Sequence, residues 1–349
     1  MKTQDKIKMF KDVFAPKKDE KVLVLVDVPY KHIKDNELWK DRRKMARDWY
    51  NAFKEMGDKS GFSVDFLEYN ATGQHNSSIP SSVVDIVRKM NLVIAMTEFS
   101  ATSSLAQVCK KKGSSTRCAS MPMVEKRMEE TAFKADYSQV KSFAIAIEHM
   151  LNDSVGAKVI FSTGDVLFID LRNRIAESDT GDCSQAGQCI NFPSGEGFKA
   201  PYEAASDELE AFGESKTKGV LPVFYDKEIV KFIIENNRIV QIVGSSKKAK
   251  DMQAFFEEDD TRRNIAELGI GCNPKAVITG NVLEDEKVGL HIAYGMSIHL
   301  GGKVDSDVHQ DICYSKGCPV EGITVVLTHK DGSKTVLIKD AMLRYDILG

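Results

Sequence analysis

The sequence lacks any apolar run long enough to suggest a membrane protein. Its longest apolar stretch, Lys21-Val-Leu-Val-Leu-Val-Asp-Val-Pro29, is far shorter than the roughly 20 residues that a membrane-spanning helix needs. The polar start Met1-Lys-Thr-Gln-Asp-Lys6 has no apolar core of the kind that a signal peptide requires. We therefore expect a cytoplasmic protein that does not associate with membranes.

Strong charge and the motifs of nucleotide or thiol chemistry are missing as well. The formal net charge of −3 gives no sign of a nucleic-acid partner. The segment after the first apolar stretch, Asp27-Val-Pro-Tyr-Lys-His32, has no Gly-x-Gly-x-x-Gly, which argues against a dehydrogenase. None of the seven cysteines belongs to a Cys-x-x-Cys pair, so neither a zinc knuckle nor an iron–sulfur cluster is indicated.

The first part of the sequence alternates strand and helix patterns. Buried-strand patterns at 22–28, 62–69 and 92–96 are separated by amphipathic helix patterns at 36–56 and 81–90. This βαβα order predicts a parallel sheet covered by helices on both faces.

Near Asn152-Asp-Ser-Val-Gly156 the pattern changes to short strands and loops, and beyond it only residues 246–268 are convincingly helical. A chain of 349 residues is long enough for two domains. We therefore predict an α/β fold with an N-terminal parallel α/β sandwich domain at residues 1–153. A C-terminal α+β domain at residues 154–349 would hold the catalytic, metal-binding site.

Histidines are concentrated near the C-terminus, where four of the seven lie in the last sixty residues. His309 and Asp311 are two residues apart in a strand-like stretch, so their side chains would share one face, as two ligands of one metal ion must. His291 lies on a preceding strand pattern that could pair with this one. A lone His-x-Asp is common by chance, and a histidine in a strand is more often a hydrogen-bonded core or surface residue than a ligand.

Two carboxylates upstream have glycine-rich, apolar surroundings. Glu196 follows the turn Pro193-Ser-Gly195, where an unpaired carboxylate would be costly and a cation would remove the cost. Glu267 opens a Gly-x-Gly-x-x-Pro loop at the end of the charged helix. A surface acid is the ordinary expectation there, but the apolar Leu268-Gly-Ile-Gly271 that follows weakens it.

Four motifs follow one another in the second half of the chain: Asn191-Phe-Pro-Ser-Gly-Glu196, Glu267-Leu-Gly-Ile-Gly-Cys-Asn-Pro274, Glu286-Lys-Val-Gly-Leu-His-Ile-Ala-Tyr-Gly295 and Ser306-Asp-Val-His-Gln-Asp311. This ordered set resembles the aminopeptidase T and aminopeptidase S family of metallopeptidases, over roughly residues 155 to 315. The resemblance implies a hydrolase that acts on a small peptide or another small molecule, and commonly a homodimer.

The resemblance also implies a pair of divalent ions bridged by a carboxylate and a water. Carried over position by position, the implied ligands are Glu196, Glu267, Glu286, His291, His309 and Asp311, with Glu267 as the bridge. We expect zinc, cobalt or manganese, because an oxygen-rich site with two imidazoles and no thiolate suits these metals. One acid must also carry a proton, and Glu196 is our candidate.

The sequence departs from the family where members that cleave peptides usually carry a tyrosine that can stabilise the oxyanion. Here the segment Gly295-Met-Ser-Ile-His-Leu-Gly-Gly302 has no tyrosine. His299 is our candidate for this role, and Tyr294 or Tyr314 are the alternatives.

This departure keeps two other functions open. A related ring-cleaving dioxygenase that acts on dihydroxypyridine uses one ferrous ion, for which His291, His309 and Asp311 would form the facial triad. That enzyme has a histidine at the position of Glu267, so Glu267 and Glu286 favour the two-metal interpretation. The other possibility is a metal-binding or assembly protein without turnover.

Overall fold

A computed structural model describes residues 1–349. The α-helices are α1 (Thr3–Val13), α2 (Glu37–Ser60), α3 (Ser81–Val87), α4 (Thr102–Cys109), α5 (Tyr137–Asp153), α6 (Ser206–Phe212), α7 (Lys247–Glu258) and α8 (Val282–Asp285). The strands are β1 (Lys21–Val28), β2 (Ser63–Asn70), β3 (Leu92–Met96), β4 (Arg117–Ser120), β5 (Ser154–Phe161), β6 (Val166–Asp170), β7 (Ala176–Asp179), β8 (Cys189–Asn191), β9 (Glu196–Lys199), β10 (Lys218–Tyr225), β11 (Glu228–Glu235), β12 (Arg238–Val243), β13 (Ile265–Cys272), β14 (Val288–Gly295), β15 (His309–Cys313), β16 (Gly322–His329), β17 (Lys334–Lys339) and β18 (Met342–Leu343). Short 3-10 helices span Lys126–Glu130, Ala132–Lys134, Asp260–Arg263, Ile298–Leu300 and Tyr345–Ile347.

Contacts between Cα atoms divide the chain into two compact units. Unit 1 contains residues 1–141, 179–194 and 274–277, and unit 2 contains the remaining residues. The segment 179–194 groups with unit 1 because it carries β8, which pairs in parallel with β4. The predicted domain boundary after residue 153 refers to domains that fold independently. Contacts between Cα atoms define compact units only, so this boundary stays a prediction.

Unit 1 is built on a five-stranded parallel sheet with the strand order β2-β1-β3-β4-β8. The strand β1 is buried on both faces from Val22 to Val26, as expected for a parallel sheet covered by helices. The helix α2 begins where the Asn36 side chain accepts a hydrogen bond from Trp39 N at 2.8 Å, and it ends at Gly61 with φ 79°. No helix in the chain is both long and apolar enough to cross a membrane.

Unit 2 contains two further sheets. One has eight strands in the order β12-β11-β10-β6-β5-β16-β17-β18, and the other, here called the site sheet, has five strands in the order β15-β14-β13-β9-β7. Both sheets contribute apolar side chains to one core, such as Val159 and Phe232 from the first and Leu268 and Ile292 from the second. The predicted α/β fold class is confirmed, with one parallel sheet and two sheets of mainly antiparallel pairs.

The predicted helix over residues 246–268 is wrong in its second half. The helix α7 ends at Glu258, and β13 begins at Ile265. Asp259 ends the helix, because its backbone is extended and its side chain accepts a hydrogen bond from Thr261 N at 2.9 Å. Every residue of β13 is buried, so both faces of this strand are covered by the protein. An amphipathic surface helix would instead have kept one face exposed.

Candidate metal centre

The site sheet has one apolar face and one face that carries ionisable side chains. On β13, Leu268 and Ile270 enter the core, so Glu267 faces the opposite way. Ala293 on β14 is paired with Glu267 on one side and with Asp311 on the other. Residues directly opposite in antiparallel strands share a face. The register therefore brings Glu267 and Asp311 to the same face across three strands.

The same register adds the other predicted ligands. His309 and His291 lie two residues before Asp311 and Ala293 on their strands and therefore share their face. Glu196 on β9 is paired with Gly271 of β13. Glu286 directly follows α8, two residues before β14 begins. All six side chains that the sequence singled out as ligands thus converge on one region of unit 2.

Glu267 lies between the two imidazoles. Its Oε1 is 3.3 Å from His291 Nε2, and its Oε2 is 3.1 Å from His309 Nε2. Asp311 Oδ1 is 3.4 Å from His309 Nε2, the same nitrogen that Glu267 contacts. One carboxylate therefore presents a separate oxygen to each histidine.

A buried lysine adds to the site and was missed in the sequence. Lys287 Nζ lies 2.6 Å from Glu196 Oε1 and 2.8 Å from Glu286 Oε1, and its side chain is 0% exposed. A lysine next to a glutamate ordinarily indicates a solvated surface. The apolar Val288-Gly-Leu290 that follows was the available signal that this lysine is inside the protein.

The donor set suits a metal ion. One ligand atom each from Glu267, His309 and Asp311 lies within 4.8 Å of the others. Oxygen and imidazole donors at this spacing fit zinc, cobalt or manganese. Glu196 Oε2 and His291 Nδ1 are buried without a hydrogen-bond partner. A buried carboxylate oxygen without a donor is costly, and a cation at this position would satisfy it.

His309 is held in the tautomer that a metal ligand needs. Its Nδ1 donates a hydrogen bond to the carbonyl oxygen of Met296 at 2.7 Å, since a carbonyl only accepts. The lone pair of the neutral ring is therefore on Nε2, which faces Glu267 and Asp311. Metal-binding histidines are commonly oriented in this way by a second hydrogen bond.

The loop that supplies this carbonyl is itself anchored. Glu203 accepts hydrogen bonds from Lys303 N at 2.6 Å and Asn264 Nδ2 at 3.1 Å, and also from the Ser297 hydroxyl. Arg174 neutralises this carboxylate with an ion pair of 3.0 Å. The loop between β14 and β15 is thus tied to the segment after β9, next to the ionisable cluster.

Two glycines of β13 make room for the site. A Cβ atom on Gly269 would lie 1.9 Å from His291 Nε2, and one on Gly271 would lie 2.4 Å from the carbonyl oxygen of Glu286. The His291 ring therefore covers a position where any other residue would carry a side chain. This explains the Gly-x-Gly of the sequence in physical terms.

Replacing Gly269 with alanine is expected to displace the His291 ring and to lower metal affinity by about 10-fold or more, because ligand orientation is disturbed. Calorimetric titration of the metal-free variant with Zn²⁺ would measure the loss. In a His291→Ala background the added methyl group has no ring to displace, so the same glycine change should have little further effect. An equal loss in both backgrounds would contradict this explanation.

Both imidazoles carry a positive charge in the metal-free site. Burial alone would lower the pKa of His291, but the hydrogen bond and charge of Glu267 and the charge of Glu196 raise it to about 9. Burial also opposes the charged form of His309, yet the contacts with Asp311 and Glu267 raise its pKa well above the usual value. A metal ligand must be the neutral imidazole, so protons and metal ions compete for these rings.

The carboxylates divide into two kinds. Burial raises the pKa of Glu286 to about 8, helped by the charges of Glu196 and Asp311 and opposed by Lys287. Burial also acts on Glu267, but hydrogen bonds and charge from the two imidazoles hold its pKa well below the usual value. At neutral pH and without metal, Glu286 therefore retains a proton whereas Glu267 is ionised.

The candidates for an oxyanion donor lie in different places. His299 is exposed, and its ring centroid is 4.7 Å from that of His309. Tyr294 packs against Phe256 in the core, and Tyr314 packs against Phe161, both on the apolar side of the site sheet. The suggestion that either tyrosine reaches the site is therefore wrong, because the strand alternation turns both away from it.

Comparisons with known proteins show the fold of the chain. No protein-family model and no curated protein sequence matches it significantly. Among solved structures, it is similar to 2,5-dihydroxypyridine dioxygenase from Pseudomonas putida, with 16% identity, a TM-score of 0.70, and 99% of this chain and 98% of that chain covered. It is also similar to wild-type AmpT from Thermus thermophilus, with 13% identity, a TM-score of 0.63, and 98% of both chains covered. These likenesses establish a distant relation in fold over nearly the whole chain.

Proposed function

We propose that the protein is a metal-dependent hydrolase of the aminopeptidase type, in which water activated by two divalent ions attacks the carbonyl of a peptide or a related amide. The ions, zinc, cobalt or manganese, would be held by Glu196, Glu267, Glu286, His291, His309 and Asp311. The observation that carries the proposal is the Glu267 carboxylate, whose two oxygens contact two different imidazoles. A carboxylate in that position can bridge a pair of cations.

The charges of the site are compatible with two divalent ions. Its four carboxylates and the Lys287 ammonium together carry −3 when both imidazoles are neutral and every carboxyl group is ionised. Two divalent ions would leave +1, which a hydroxide ion would neutralise, and one divalent ion would be balanced if Glu286 kept its proton.

Bound divalent ions lower the pKa of a shared water and polarise a carbonyl. The chain itself supplies proton transfer. Glu196 Oε2, which has no hydrogen-bond partner, would take the proton of the attacking water and deliver it to the leaving nitrogen as the C–N bond breaks. His299, exposed beside His309, is the candidate donor to the carbonyl oxygen as negative charge develops there.

A second candidate is a mononuclear non-haem iron dioxygenase, with His291, His309 and Asp311 around one ferrous ion. The observation that favours it is the TM-score of 0.70 to the dioxygenase, against 0.63 to AmpT, the aminopeptidase. Glu267 weighs against it. The three ligand atoms that converge belong to Glu267, His309 and Asp311, and so include one imidazole and two carboxylates.

Metal counting combined with two assays tests the proposal. Purified protein should bind two ions per chain when dialysed against Zn²⁺, Co²⁺ or Mn²⁺, and should release amine from a panel of aminoacyl amides and dipeptides. One bound ferrous ion with oxygen consumption on a dihydroxylated aromatic ring would support the second candidate and overturn the first.

Metal binding is expected to release protons. Near pH 7 the metal-free site holds protons on His291, on His309 and on Glu286, whose pKa values are all raised. Two ions should therefore displace about three protons from side chains and about one from the bound water. Titration calorimetry in buffers of different ionisation enthalpy measures this number. Affinity should rise with pH up to at least about 9, where the His291 proton is lost. A pH-independent affinity would contradict the expectation.

Replacing His299 with phenylalanine is expected to lower kcat on a cleaved amide by about 100-fold, with KM little changed, since a donor to the developing oxyanion is lost. His149→Phe, at an exposed position of α5, is the control and should leave kcat unchanged. Undiminished turnover by the His299 variant would assign oxyanion stabilisation to another group.

A further inference from the structure

Lys287 connects two carboxylates that come from different parts of the chain. Glu196 begins β9, and Glu286 lies just before β14, ninety residues further on. The Lys287 ammonium contacts one oxygen of each, at 2.6 and 2.8 Å. Because its side chain is 0% exposed, this cation is held between the two acids and away from bulk water.

The two oxygens of the Glu196 carboxylate have different surroundings. Its Oε1 accepts the hydrogen bond from Lys287, whereas its Oε2 has no hydrogen-bond partner and lies 3.5 Å from His291 Nε2. Rotation of the carboxylate would break the bond to the ammonium. The lysine therefore fixes the oxygen that is directed towards the imidazole.

The charge of Lys287 has a second effect on this pair. Both carboxyl groups must be ionised to hold an ion, and an ammonium between two buried carboxylates offsets their mutual repulsion. Without it, Glu196 and Glu286 would be expected to move apart. Preorganised ligands lose less freedom when the ion binds.

We infer that Lys287 is a positioning residue for one of the two ions, namely the ion held by Glu196, Glu286 and His291. The inference rests on the proposed function, because it assumes two ions. The Lys287 ammonium contacts Glu196 and Glu286, whereas the other ion would be held by Glu267, His309 and Asp311. Loss of Lys287 should therefore weaken one ion selectively.

Titration of metal-free protein with Zn²⁺ and with Co²⁺, followed by calorimetry and by elemental analysis after dialysis, tests this inference. Wild-type protein should bind two ions. Lys287→Met should retain one ion with unchanged affinity and bind the second about 10- to 100-fold more weakly, as for other groups that orient metal ligands. Lys287→Arg, which keeps the charge and the donors, should recover part of the loss.

Lys303→Met is the matched control, since that lysine is exposed and its Nζ contacts only the surface acid Asp207, at 3.0 Å. Circular dichroism checks the fold, and Lys287→Gln replaces the methionine variant if the latter does not fold. If the Lys287 variant bound two ions with unchanged affinity, this inference would be overturned but the proposed function would stand. A gain in affinity would also overturn it, since the lysine would then act as a competitor of the metal. A single ion in wild-type protein would overturn the proposed function and this inference together.

Discussion

Replacement of Asp311 or His309 by alanine is expected to abolish turnover and the binding of at least one ion while the protein stays folded. Both residues belong to the three-ligand set whose atoms lie within 4.8 Å of one another. Removing either side chain takes away one of the three ligands. Both side chains are 17% exposed and therefore partly accessible to water. Water can fill the space left by a partly exposed side chain, so the cavity cost of a core truncation does not arise. Elemental analysis and circular dichroism give the two readouts.

The neighbouring Gln310 provides a control on the same strand. It lies between the two ligands, so its side chain points to the opposite face, and it is exposed. Gln310→Ala should therefore keep full metal content. If the Asp311 and His309 variants kept their metal and their turnover, the assignment of the site would be wrong.

Glu267→Gln is expected to lower the affinity for both ions by more than about 100-fold, a larger loss than removal of an outer hydrogen bond causes. The substitution keeps the shape of the side chain and removes the negative charge between the two imidazoles, 3.3 and 3.1 Å away. Because one oxygen of Glu267 faces each histidine, the affinity should fall for both ions. Titration with Zn²⁺ resolves the two steps.

Glu257→Gln makes the same chemical change on the exposed surface of α7, where Glu257 accepts a hydrogen bond from Gln253 at 3.0 Å. Metal affinity should be unaffected there. Equal losses at positions 257 and 267 would refute the bridging role, and loss of one ion only at position 267 would restrict that role to a single metal.

Local spacing was sufficient to predict some of the site from the sequence. His309 and Asp311 share a face because strand side chains alternate with a period of two, and the structure has them on β15. The resemblance to a metallopeptidase family supplied Glu196 and Glu286, which no local pattern connects to the histidines. That these side chains bind metal stays a prediction.

Other features depend on contacts between distant segments and could not be predicted. Glu267 was expected at the end of a helix, yet it lies inside β13, since pairing with β9 and β14 outweighs the local pattern. Lys287 has no local signature as a site residue, because its partners lie ninety residues apart in the chain, Glu196 on β9 and Glu286 between α8 and β14. The pairing of β8 with β4 joins residues about seventy positions apart and has no local signature.

The position of β15 at the end of the site sheet has a consequence for dynamics. An edge strand is hydrogen bonded to one neighbour only, here β14, and such strands open more readily than central ones. Ions bound through His309 and Asp311 would fasten β15 to Glu267 on β13, two strands away, so the free energy of metal binding would add to the free energy of detaching this strand. Chelation would then loosen the strand and leave a free edge on which another chain can add a strand of its own.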